Sequence, residues 1–221
     1  MRALSNLLLI FNIQKSRDRP AASATNLSLN IPFWSPLNTK PNAANTEKRN
    51  ALMQELLEKA AEVGQVGSLA NEEDRAILES MAEKVVPYSD PKPARFPLQG
   101  EHRLVYSAAP GASSGRVFGN VVGKVTQFFE NDEIFYNRVV LGPLMIELQA
   151  KREIKNDSTI KVSFLETTFS LFGNAISKKQ VGGGGVWKCR FVGKVQDGDG
   201  AEKLIRIMDT PSLFIIEQTL N

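Results

Sequence analysis

LMIELQAK (144–151) and WKCRFVGKV (187–195) decide the fold. In the first, Leu144, Ile146, Leu148 and Ala150 alternate with Met145, Glu147, Gln149 and Lys151. In the second, Trp187, Cys189, Phe191, Gly193 and Val195 alternate with Lys188, Arg190, Val192 and Lys194. A period of two gives a strand one dry face and one wet face. Ile160, Val162 and Phe164 repeat the pattern, and working outward predicts eight strands: 101–107, 116–129, 133–142, 144–155, 159–169, 185–196, 202–209 and 212–219. Turn signals fall between them at Asn131-Asp132, Gly142-Pro143, Asn156-Asp157, Asp197-Gly198-Asp199-Gly200 and Asp209-Thr210-Pro211. No helical stretch of βαβ length separates the strands, so the sheet is expected to be antiparallel. The expectation is a mainly β chain closed into an up-and-down barrel of about eight strands.

Nine of the twelve phenylalanines lie past residue 115, where they would line such a barrel. The candidate ligand-binding residues of the interior are His102, Leu104, Tyr106, Phe118, Phe135, Leu148, Phe164, Trp187 and Phe191. Burying ~300 Å² of a lipid tail against them would contribute about 7 kcal/mol before association costs. The same aromatics serve equally well as a filled core. His102 shares the parity of Leu104 and Tyr106 and would be either a polar contact for a ligand or a histidine satisfied at the barrel floor. Cys189 reads as a buried small hydrophobe; a reactive thiol would need a cation beside it and exposure.

Two short helices precede the barrel. Leu52, Met53, Leu56, Leu57, Ala60 and Val63 give one apolar stripe, ended by Gly64 and Gly67. Asn71 caps a second helix, with Glu72, Glu73 and Asp74 in its first turn and Ile77, Leu78, Met81 and Val85 as its stripe. Pro87, Pro91, Pro93 and Pro97 make an extended connector. The pair is either a partner-docking element or a lid packed on the barrel. The organisation is therefore 1–45 as a transit-like or disordered segment, 46–99 as helices and connector, and 100–221 as the barrel.

The charge supports that division. Residues 1–46 carry five basic side chains against one acid, a net of +4, so the total of +3 leaves −1 for residues 47–221. The sequence pI near 9.0 thus belongs to the N-terminal segment, whose short apolar run, arginines and small residues fit an organelle address, and the body does not call for nucleic acid. One cysteine and one histidine exclude an intrachain disulfide, a His/Cys metal cluster and any triad not running through His102. Gly182 to Gly185 lacks the ending of a phosphate-binding loop and reads as a flexible loop, and Asp197-Gly-Asp-Gly lacks the downstream Glu of a calcium loop. Lys178, Lys179, Lys188, Arg190 and Lys194 form a weak basic face that would suit anionic lipid heads or plain solvent. With no paired carboxylates and no nucleophile–base set, no enzyme and no cofactor is expected.

The order of these pieces resembles the plastid lipid-associated proteins, also called fibrillins or plastoglobulins. Their opening Gly-x-Trp-x-Leu-x-Tyr pattern stands here as Gly100 to Tyr106, with His102 in place of the tryptophan. Gly115 to Phe118, Asn137-Arg138-Val139-Val140 running into Gly142-Pro143-Leu144, VSFLETTFSLFG (162–173), Trp187 and LIRIMDTPSLFIIEQ (204–218) resemble later family elements. The family's acidic stretch is replaced by Gly200-Ala201-Glu202-Lys203, and its Arg-Gly-rich turn by Asp209-Thr210-Pro211. The resemblance covers roughly 45–221 and implies a lipocalin-like barrel. It further implies a plastid (chloroplast) protein that contacts apolar isoprenoid or acyl lipids, a carotenoid or prenylquinone among them. Such a protein would sit peripherally on thylakoid or plastoglobule surfaces. Two other classes stay open: an accessory or scaffold subunit of a plastid photosynthetic complex with a filled barrel, and a lipocalin-like enzyme acting through His102.

Overall fold

A computed structural model describes residues 43–119, 121–196 and 200–220. The transit-like segment up to residue 42 and the Asp197–Asp199 part of the calcium-like turn lie outside the described residues. Helix α1 (Ala43–Val63) and helix α2 (Glu72–Val85) come first. Asn71 caps α2 as expected, its side chain accepting from the Asp74 backbone N–H at 2.7 Å.

The body has strands β1 (Gly100–Ser107), β2 (Arg116–Val117), β3 (Val121–Val122), β4 (Lys124–Phe129), β5 (Ile134–Leu141), β6 (Leu144–Ile154), β7 (Thr159–Leu171), β8 (Asn174–Gln180), β9 (Gly184–Gln196), β10 (Glu202–Asp209) and β11 (Leu213–Thr219). The main sheet runs β6-β5-β4-β1-β11-β10-β9-β7, and β6 pairs with β7, so eight antiparallel strands close into a barrel. β2 and β3 form a separate hairpin of two-residue strands, so the expected strand 116–129 is three strands, β2, β3 and β4.

β8 was not predicted. It pairs with the second half of β7, Glu166 to Leu171, while β9 takes the first half, Thr159 to Ser163. The hand-over between the two is made by the glycine run. Gly184 has φ +140°, and a Cβ there would sit 2.0 Å from the Val162 carbonyl oxygen, so only glycine lets β9 approach β7. The expected flexible loop is thus partly strand, with Gly184 and Gly185 opening β9.

Two cores flank the sheet. Inside lie Leu104, Val125, Phe129, Phe135, Val139, Ile146, Ile160, Val162, Trp187, Met208 and Phe214, all buried. Outside, Met53, Leu56, Ala60, Leu78, Ala82 and Val85 of the helices cover Tyr106, Phe191, Ile205, Ile207 and Ile215. The helical stripe is therefore packed on the barrel, as a lid would be. Arg190 fastens it. Its guanidinium, 3% exposed, reaches Glu79 at 2.5 Å and Glu83 at 2.5 Å on α2, and Asp209 at 3.1 Å. Burial works to lower the Arg190 pKa, and the carboxylates outweigh it and raise it. Arg190 is thus not part of a solvated basic face.

The barrel has two ends. At the connector end, Ala94 and Leu98 are buried in the inner core, and the Gln218 side chain donates to the Gln99 carbonyl at 2.9 Å. At the other, hairpin end lie the β2–β3 hairpin, the β5–β6 turn and the β7–β8 turn. The Phe172 N–H bonds the Pro143 carbonyl at 2.9 Å, joining the last two turns.

Candidate functional site

The inner surface is not uniformly apolar. His102, Gln127, Asn137, Leu148 and Thr167 are successive cross-strand neighbours from β1 to β7, so they form one ring on the inner face. Neighbouring positions on the same face, Val125, Val139, Ile146 and Phe169, form an apolar ring. Both His102 nitrogens, both Gln127 amide atoms, Asn137 Oδ1 and Thr167 Oγ1 are buried without a hydrogen-bond partner of ordinary geometry.

Two arginines point into the same interior. Arg206 on β10 lies opposite Val192 and Ile216 and is 1% exposed. Its guanidinium carbon sits 5.5 Å from the Phe129 ring centroid, on a strand three places removed, so the side chain crosses the barrel. Arg206 Nη2 lies 3.9 Å from Cys189 Sγ, its only direct hydrogen-bond contact among the described residues, and its Nε has none. Arg152 on β6 lies opposite Val162 and is 3% exposed, with Nε and Nη1 both without partners.

Burial, reinforced by the like charge of Arg152 and opposed by Cys189, lowers the Arg206 pKa to about 10, so it stays a cation at neutral pH. Arg152 is lowered by burial, with Asp132 and Cys189 acting the other way. Burial and then the Arg206 charge push His102 down to about 4, against a small opposing effect of the Gln99 backbone, so its ring is neutral. Its ring meets Phe129 edge-on at 5.1 Å, and Phe129 stacks on Phe135, which meets Trp187. A cleft of about 430 Å³ lined by Pro97, Gln99, Asn131, Asp132 and Gln218 opens at the connector end; of its lining, Gln99 acts on His102 and Asp132 on Arg152.

The sequence-derived candidates divide accordingly. His102, Leu104, Phe135 and Trp187 are inside, Leu148 lies on the polar ring, and Phe164 packs half-buried against the inner core. Tyr106 is not interior: a bulge between Leu104 and Tyr106 turns it outward under the helices, where a Cβ on Gly67 would lie 2.3 Å from its hydroxyl. Phe191 is likewise turned out by the register shift at Ile207/Met208 and packs under α1 and α2. Phe118 sits in the β2–β3 turn and is 53% exposed. Cys189 has the neighbouring cation a reactive thiol needs but is buried, 3% exposed. Reading basic residues as wet-face residues missed Arg152 and Arg206. Parity finds them: Arg152 continues the series Leu148, Ala150, and Arg206 sits between Leu204 and Met208.

The second feature is an apolar rim at the hairpin end. Phe118, Val121, Val122, Leu171, Phe172 and Ile176 are all exposed, Phe172 at 77%. Val140 joins them, and Gly123 packs against Val139, Val140 and Leu141, bringing the β3–β4 link onto the end of β5. Phe118 (φ 49°) and Phe172 (φ 50°) hold left-handed turn positions that glycine or asparagine normally takes.

The PAP_fibrillin family model matches residues 50–203, from α1 into β10. The chain belongs to the PAP_fibrillin family. The plastid lipid-associated assignment expected from the resemblance therefore holds, with the lipocalin-like barrel it implied. Among curated proteins and among solved structures, nothing matches the chain. The described residues contain no group of three or more His, Cys, Asp or Glu that would hold a metal, and no helix among them is long and apolar enough to cross a membrane.

Proposed function

We propose that this fibrillin is a peripheral, non-enzymatic lipid-contacting protein of the plastid that lays the hairpin end of its barrel on an apolar lipid surface, a thylakoid membrane or a plastoglobule. The observation that carries the reading is the pair of exposed phenylalanines, Phe118 and Phe172, in left-handed turn positions on one end of the barrel. A non-glycine residue there costs about 1 kcal/mol, and neither side chain recovers it by burial in the fold. Aromatic rings held at such positions are explained by a partner that buries them. The inner core supports surface contact over carriage of a long apolar tail, because Phe129, Phe135 and Trp187 already occupy the interior.

Flotation with a triolein emulsion coated with phosphatidylcholine tests the reading. The wild-type chain floats, and the F118G/F172G variant stays behind while unfolding at the same or a higher temperature. A variant that floats as well as the wild type removes the rim from the account. The stacked aromatics of the inner core also favour the accessory-subunit reading. The helical pair would not be its docking element, since Leu56, Ala60, Leu78 and Val85 are fully buried against the barrel. Co-purification of a partner by the rim variant, with no lipid flotation by either form, would favour that second reading.

A further inference from the structure

We propose that the barrel interior is an oxyanion site in which Arg206 and Arg152 hold a carboxylate or phosphate group, with His102 and Gln127 completing its hydrogen bonds. Two cations are buried in one small interior, and neither makes an ion pair among the described residues. The fold treats a third buried cation differently: Arg190, equally buried, is given three carboxylates. A guanidinium used for structure is thus paired within this chain, and the inner two are not. Unpaired charge in a dry interior is costly, and two like charges within electrostatic reach of each other make it more so.

The donor set has the chemistry of an oxyanion receptor. Arg206 Nε, Arg152 Nε and Nη1 and Gln127 Nε2 are buried polar atoms without a hydrogen-bond partner, and the buried His102 ring has only the weak influence of the Gln99 backbone. Guanidinium forks match the paired oxygens of a carboxylate or phosphate. Asp132, whose charge acts on Arg152 without an ion pair, lines the cleft at the connector end, and an anion would reach Arg152 and His102 from that end. Such an anion would be either a free small oxyanion or the head group of an amphiphile whose chain leaves through that cleft.

Calorimetric titration of the delipidated full chain with acetate, inorganic phosphate, oleate and methyl oleate tests the site. Oleate is expected to bind at least 10-fold more tightly than methyl oleate, and Arg206→Met or Arg152→Met to weaken oleate at least 10-fold without changing methyl oleate. Acetate or phosphate binding as tightly as oleate assigns the site to a free oxyanion; oleate binding far more tightly assigns it to an amphiphile. Equal binding of oleate and methyl oleate, or unaltered oleate binding by R206M, overturns the proposal. A readout on the unmutated chain covers variants that do not fold. His102 is the only histidine, and an anion beside Arg206 should raise its titration midpoint from about 4; a midpoint unmoved by every anion overturns the site. R206M should still float on the emulsion, so failure here is separable from failure of the rim.

Discussion

Neutralising the carboxylates around Arg190 should destabilise the protein far more than removing Arg190 itself. The arginine side chain is 3% exposed, whereas Glu79, Glu83 and Asp209 are 50%, 65% and 30% exposed. In Arg190→Met the carboxylates turn to water and a methionine packs where a desolvated cation stood. The lost Coulomb attraction is offset by the recovered desolvation, so the change should stay within about 1 kcal/mol. In E79Q/E83Q/D209N the guanidinium stays buried with no counter-charge, and the cost should be about 3–5 kcal/mol. At a urea m-value of about 2 kcal/mol/M, that is a fall of roughly 2 M in the midpoint for the triple variant, against less than about 0.5 M for R190M. Adding R190M to the triple variant should restore most of the loss, giving a coupling energy of about 3 kcal/mol in the cycle. Equilibrium urea unfolding at constant m reads all four forms. If R190M falls as far as the triple variant, Arg190 is not held as a desolvated ion on α2, and the attachment of the helices to the barrel is misread.

His102 adds a pH dependence of definite sign. Its folded pKa of about 4 lies below the ordinary 6.5, so the unfolded chain binds the extra proton between those values. The stability it contributes is present above pH 6.5 and lost as pH falls towards 4, by about 3 kcal/mol at most; His102→Leu should flatten that part of the urea midpoint profile, and an unchanged profile would contradict a neutral buried ring. Gly184→Ala should cost about 2 kcal/mol or more, because its Cβ would meet the Val162 carbonyl in a backbone region that L-residues avoid, and a thermal midpoint equal to wild type would dismiss the β8-to-β9 hand-over. Phe172→Gly should leave the thermal midpoint unchanged or raise it, since it relieves a left-handed phenylalanine that is 77% exposed; a clear fall would mean the ring is packed in the fold.

Most of the barrel was legible because its long strands keep one parity. Leu144 to Ala150 alternates without interruption, and the turns at Asn131-Asp132, Gly142-Pro143 and Asn156-Asp157 fall where expected. What parity cannot carry is a bulge. At Leu104/Tyr106 and at Ile207/Met208 the register shifts, so Tyr106 and Phe191, both large and apolar, face the helices rather than the interior. β8 was invisible for another reason. NAISKKQ is exposed along most of its length at the sheet edge and shows no apolar alternation to read. The helices were legible from their stripes and the Asn71 cap, but their role as a lid rests on Arg190, which a solvated-face reading assigned to water. In the candidate site, aromatics were found by composition. The buried arginines were passed over because charge usually means surface, although Arg152 and Arg206 hold inner-face parity in the sequence itself.

The lipid-facing end of the barrel is tested most directly by depth-dependent quenching. An environment-sensitive label is placed by A175C beside the β7–β8 turn at the hairpin end or N131C at the connector end, the native Cys189 being buried, 3% exposed. With Phe118 and Phe172 inserting together, the exposed fractions of two rings of ~200 Å² each would bury about 260 Å², worth on the order of 6 kcal/mol before association costs. The account predicts that acyl-chain-borne quenchers on the emulsion surface quench the label at 175 and leave the label at 131 bright. Quenching at 131 with none at 175 would contradict it.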